Sequence, residues 1–154
     1  PQVRRYGLVP DSGGHGTFRG GLSILREWEV LAPEMAVTFR SDRRKFQPYG
    51  LHGGKAGQPS ASYLNPDDGA SMLPSKINQR FKQSDRFLHV TPSGGGWGDP
   101  FKRDPQSVLA DWRLEKATAA HVRDAYGVVI DEENRRVDEA ATAALRDGTS
   151  AGTA

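Results

Sequence analysis

The side chains able to act on a small molecule lie inside glycine-rich runs. His15 and Arg19 belong to SGGHGTFRGG (residues 12–21), His52 to PYGLHGG (48–54), and Asp99 to TPSGGGWGDPFKRDP (91–105). An imidazole carried on a glycine loop is well placed to face a cleft, and a carboxylate beside it has the chemistry of a general acid or base. Successive glycine amides can also converge on one anion. Against that reading, the first run lacks GxxxxGK[ST] and leads into a strand rather than a helix, so a phosphate site on a helix dipole is not supported. Gly-Asp-Pro is in addition a common turn whose carboxylate caps a local amide, and this is the favoured reading of Asp99.

His15, His52, His89 and His121 are the only imidazoles. No two are three or four residues apart, so there is no local metal motif. A site assembled from distant segments stays open, and His89 reads as a half-buried packing residue on a strand. Ser12 and Ser93 have no neighbouring base, which leaves neither assignable as a nucleophile. Trp28, Trp97 and Trp112 read as core or interface anchors. Residue types alone define no catalytic site, and no cofactor or metal is assigned to the chain.

Glycine tolerates positive φ and close backbone approach, and it is costly where neither is needed. Three consecutive glycines, Trp97, a fourth glycine and Asp99-Pro100 therefore mark a place where something packs tightly. That something is expected to be a companion surface rather than a ligand.

Composition narrows the classes. The 154 residues amount to about one domain. The apolar fraction of 36% and mean hydropathy of -0.65 are low for a self-sufficient globule. The first eighty or so residues are thus expected to need a partner surface. The 21 basic and 19 acidic residues nearly balance. The cluster Arg40, Arg43, Arg44 and Lys45 reads as a solvated turn or an interface, not as a nucleic-acid footprint. Without cysteine there is no disulfide framework and no thiolate site. No apolar run is long enough to span a bilayer and no signal-peptide pattern opens the chain. A start at Pro1 reads as processed or truncated, and the cytoplasm is the expected compartment.

The elements that must hold these residues read as α+β, sheet first and helices last. A glycine-rich antiparallel β region is expected over 1–103, a helical region over 104–148 and a frayed tail over 149–154. Residues 22–31 predict a strand with a bulge, and 35–39 a second strand joined to it by a hairpin at Ala32-Pro33-Glu34. Residues 61–64 and 86–90 predict two more strands, with a turn at 65–69 between them and the poorly alternating 72–81. Asp104 caps a first helix with Pro105 at its first position. Thr118 starts a second, which Gly127 ends. After an extended Val128–Ile130, Asp138 caps a third helix ending at Gly148.

Taken in order, the segments SGGHGTFRGGLSILREWEV, DRRKFQPYGLHGGKAGQPS, HVTPSGGGWGDPFKRDPQSVLADW, HVRDAYGVVID and VDEAATAALR resemble the C-terminal part of the hydantoinase B/oxoprolinase family. The resemblance implies a fragment that completes a larger multi-subunit fold. Its partners would be hydantoinase A-like subunits, which bind ATP, and larger hydantoinase B-like subunits, in a hetero-oligomer without nucleic acid or membrane. Such assemblies open cyclic amides (hydantoins, 5-oxoproline) after phosphorylating the substrate oxygen. In the acetone and acetophenone carboxylase branch they instead make a phosphoenol that reacts with bicarbonate. ATP, Mg and bicarbonate are implied for the whole complex, and a metal for partner subunits; no metal ligand carries over to this chain. The size of the piece favours a small, non-catalytic subunit of the acetophenone carboxylase type. The alternatives are a cyclic amide hydrolase and a free-standing binding or scaffold module. A further alternative has the glycine loops hold phosphate or bicarbonate, with His15, Arg19, His52 and Asp99 as the residues to mutate.

Overall fold

The computed structural model describes residues 1–67 and 71–150, the side chains of residues 149 and 150 excepted. In chain order its strands are β1 (Gln2–Leu8), β2 (Ile24–Glu29), β3 (Glu34–Arg40), β4 (Ala61–Leu64), β5 (Ser71–Met72), β6 (Lys76–Lys82) and β7 (Arg86–Val90). A 3-10 turn (Pro100–Lys102) leads to α1 (Pro105–Arg113) and α2 (Ala119–Tyr126). A small hairpin of β8 (Ile130–Asp131) and β9 (Arg136–Val137) precedes α3 (Glu139–Ser150). The architecture is α+β, antiparallel sheets followed by short helices, as the sequence predicts.

Among the described residues β1, β2, β7, β4 and β5 form one sheet in that order, and β3 pairs with β6 in another. RFLHV becomes the central strand because Phe87 and Leu88 bury both of its faces. The expected hairpin between residues 22–31 and 35–39 does not form. β2 pairs with β7 and β3 with β6, so the chain at 30–33 crosses from one sheet to the other beside the β6–β7 turn. Val30 donates to Asp85 O and Ser84 to Val30 O, which holds the two crossings together. Glu29 faces Arg86 and Glu34 faces Lys82, so one strand takes an extra residue across the bend. The bulge expected within residues 22–31 does not occur on the β7 side, where Leu25 to Glu29 pair in unbroken register. A register shift falls instead in β1, between Val3 and Arg5 opposite β2.

One apolar cluster forms where the two sheets meet, around Val30, Val37, Leu73, Ile77, Phe81 and Phe87 with Trp28 and Phe39 against it. The first ninety residues therefore supply a core of their own, contrary to the expectation from composition. It is small because the aromatic rings do most of the filling, with Trp28 and Phe39 each 5.0 Å from Phe87.

The helical end follows its caps. Asp104 accepts from the amides of Gln106 and Ser107. Thr118 Oγ1 accepts from His121 N, and Gly127 closes α2 at φ 60° in the left-handed region. Asp138 accepts from Ala141 N. The second cluster (Val108, Leu109, Val122, Tyr126, Val128 and Val137) lies between these helices. The helix expected to end at Gly148 runs to Ser150, because Gly148 lacks the positive φ of a terminating glycine. In the predicted 65–69 turn, Asn65 takes φ 48° and accepts from Arg86 N. Residues 68 and 69 of that turn, and the expected tail from 151 on, lie outside the described residues.

Candidate functional site

The three glycine runs meet. Segments 12–21, 48–57 and 93–98 come from opposite ends of the β region and interlock backbone to backbone. Gly14 N donates to Gly94 O, Gly94 N to Gly21 O, Lys55 N to His15 O, Gly96 N to Lys55 O and Leu51 N to Gly96 O, all at 2.8–2.9 Å. Phe18 and Trp97 exchange a reciprocal pair of such bonds. No side chain fits between strands of chain this close. A Cβ on Gly14 would stand 2.2 Å from Lys55 O, and one on Gly54 2.2 Å from Gly96 O. The glycines thus meet mostly backbone of the other glycine-rich runs of the same chain, so the close packing expected from a companion is supplied internally.

The amides of Gly14, Gly20, Gly54, Gly57, Gly94, Gly96 and Gly98 all donate to carbonyls of this chain. An anion cradle needs those N–H groups unspent. These seven amides are therefore not free to hold a phosphate or bicarbonate.

The four candidate side chains do not converge either. Asp99 is exposed and its carboxylate accepts from Phe101 N at 3.0 Å, capping the 3-10 turn. His52 is exposed at φ 50°, its ring 5.3 Å from that of Trp97. Arg19 turns inward and grips Asp111 of α1 with Nε and Nη2, at 3.0 and 3.2 Å. Arg103 reaches the same carboxylate at 2.8 Å. Two guanidinium groups therefore share one buried carboxylate, and the group pins the first glycine loop onto the helices. Arg103 also lies 5.8 Å from the centre of the Tyr126 ring. Burial, set against the pull of Arg103 and Arg19, pushes the Tyr126 phenol up to about 12, so it stays protonated.

His15 meets α2, its ring 5.8 Å from His121 and 6.1 Å from Tyr126. Two imidazoles and a phenol make a poor metal set, and among the described residues no three His, Cys, Asp or Glu side chains gather to hold an ion. Burial, then His121 and Lys55, lower the affinity of His15 for a proton. Burial does the same at His89, against an opposing hydrogen bond to Ala61 O. Both groups are depressed from 6.5, so the unfolded chain takes up protons first. The stability they contribute is complete above pH 6.5 and is lost as pH falls through their folded values. A melting temperature that drops below pH 6.5, with a shallower drop in His89→Asn, is the expected result.

Sequence reasoning missed Asp111, Arg103 and Tyr126. The available signal was Asp111 itself, an acid three residues from Val108 on the apolar face of α1.

With the fold in place, the chain's relationships are direct. The hydantoinase B/oxoprolinase family model matches residues 2–100, and the chain belongs to that family. It is 34% identical to the beta subunit of the Pseudomonas jessenii caprolactamase over 151 residues, which cover 94% of this chain and 26% of the relative. It is 31% identical to the B-type component of a putative D-/L-hydantoinase from Pseudomonas sp. strain NS671, with 94% and 25% covered. The crystal structure of the ATP-dependent caprolactamase from P. jessenii superposes with a TM-score of 0.78 at 33% identity, over 94% of this chain and 26% of that one. Nucleotide-free acetone carboxylase superposes at 0.76 over 97% and 25%, with 22% identity, a likeness of fold alone. The chain spans about a quarter of the length of the curated relatives it matches. Among the described residues, no helix is long and apolar enough to cross a membrane.

Proposed function

We propose that this chain is a non-catalytic structural portion of an ATP-dependent assembly of hydantoinase A- and B-like subunits in the cytoplasm. The observation that carries the reading is the interlock of the three glycine runs, which uses seven of their glycine amides within the chain and gives Arg19 and Asp99 structural tasks. An exposed apolar patch supports a large companion: the Phe18 and Trp97 rings lie 5.6 Å apart, tilted by 53°, beside Leu51 while remaining open to solvent. Residues 1–103 and 104–148 act together in this role, joined by the Arg19–Asp111–Arg103 group.

Opening of a cyclic amide is the chemistry favoured for the assembly. Relatives above 30% identity include a caprolactamase subunit, a putative hydantoinase subunit and 5-oxoprolinases. Ketone carboxylation of the acetophenone type, to which the sequence resemblance leans, is the second reading, supported by the shared fold of acetone carboxylase. ATP, Mg and, for the second reading, bicarbonate would bind to companion subunits.

The test is phosphate release from ATP by the co-purified assembly. Stimulation by hydantoin, 5-oxoproline or caprolactam without bicarbonate is the expected result. Stimulation only by a ketone with bicarbonate selects the second reading, and elution of the chain free of any large companion contradicts both. In the same assay His52→Ala and Asp99→Asn are expected to keep turnover within about twofold.

A further inference from the structure

Arg44 reads in the sequence only as part of a basic turn, yet its surroundings are specific. Its Nη1 donates to the Leu73 carbonyl. Nε and Nη2 are closed off from solvent and have no hydrogen-bond partner among the described residues. These two nitrogens form the side-on fork of a guanidinium, the same fork that Arg19 places on the Asp111 carboxylate. No ion pair to Arg44 occurs among the described residues. A desolvated cation with an unfilled fork is unfavourable unless an anion completes it.

A cleft of about 470 Å³ opens beside it. Val9, Pro10, Ala61, Met72 and Val90 give it mostly apolar walls. Ser23, also on the wall, is fully buried and its hydroxyl is unpartnered too. The one acid lining the cleft, Asp11, is already engaged, accepting from Thr118 N and Oγ1 at 2.8 Å each. Arg44 itself is half-buried and is one of the residues that line the cleft.

The geometry points to a binding site for a small organic carboxylate with an apolar body, the carboxylate held bidentately by Arg44 and the body lying along the apolar wall. A single cation among hydrocarbon walls suits a monoanion of this kind better than a phosphate dianion. This site is separate from the glycine interlock and does not rest on the function proposed above.

The test is calorimetric titration of the protein, in the assembly with which it purifies, with hexanoate and with its uncharged analogue hexanamide. Saturable hexanoate binding, at least tenfold tighter than hexanamide, is expected. Arg44→Gln should weaken it at least tenfold, and Arg44→Lys, which keeps the charge but not the fork and serves if the glutamine variant fails to fold, by a similar factor. Three results would overturn the site: no saturable hexanoate binding, equal binding of the two probes, or unaltered binding in Arg44→Lys. If hexanoate does not bind and Arg44→Gln instead loosens the assembly, the fork belongs to an acidic side chain of a companion.

Discussion

Gly20→Ala is expected to unfold the β region or to cost it at least about 3 kcal/mol, while Gly21→Ala, one residue further on, leaves stability unchanged within about 0.5 kcal/mol. The two glycines are neighbours in sequence and opposites in environment. A Cβ on Gly20 would lie 2.0 Å from Gly94 O and 2.8 Å from Gly95 O, whereas one on Gly21 meets nothing within 4 Å. The obstructing atoms are backbone, so no rotamer change relieves them. The 12–21 and 93–98 segments would have to part, breaking the bonds Gly14 N to Gly94 O and Gly94 N to Gly21 O. For a chain of this size the loss corresponds to a fall in melting temperature of roughly 10 °C. Thermal melts of the two variants side by side are the check. Equal behaviour would mean that the segments do not pack as described.

The second large effect is expected at Asp111. Its carboxylate is 11% exposed and holds Arg19 and Arg103, at 16% and 14%. Asp111→Ala leaves two guanidinium groups side by side with no counter-charge, in a site with little access to water. Removing one partner of such a buried group costs about 3–5 kcal/mol. The cause is separable by a double mutant. Adding Arg19→Met to Asp111→Ala removes one stranded cation, so the pair should be less destabilised than the sum of the single changes. Strict additivity in urea denaturation would show that the charges do not communicate. The same experiment reports on architecture, since Arg19 leaves the first glycine loop and Asp111 sits on α1, and their contact is how the sheet end grips the helical end.

Local signals carry the parts of this fold that can be read from sequence. Asp104, Thr118, Gly127 and Asp138 mark helix ends because capping is decided within four residues. RFLHV and MAVTF declare themselves through β-branched and aromatic content. The parts that are not legible depend on partners far away in sequence. β1, QVRRYGL, is exposed along its whole length and has no buried face to leave an alternating pattern. β6 buries only Ile77 and Phe81, four apart with Gln79 between them, so its alternation is half hidden by a glutamine. The Ala32-Pro33-Glu34 turn reads as a hairpin because it separates two strands, but their pairing is set by β6 and β7, some fifty residues on. The candidate site shows the same division. Asp99 as a turn cap is readable from Gly-Asp-Pro. That the glycine runs find one another is not, since each looks alike whether its neighbour is a companion or another loop of the same chain.

Native-state hydrogen exchange at the amides of Gly14, Gly54, Gly94 and Gly96 tests the internal interlock most directly. The structure predicts exchange as slow as that of the β7 amides, and collective loss of this protection in Gly20→Ala. Rapid exchange at these four glycines, with β7 still protected, would contradict it.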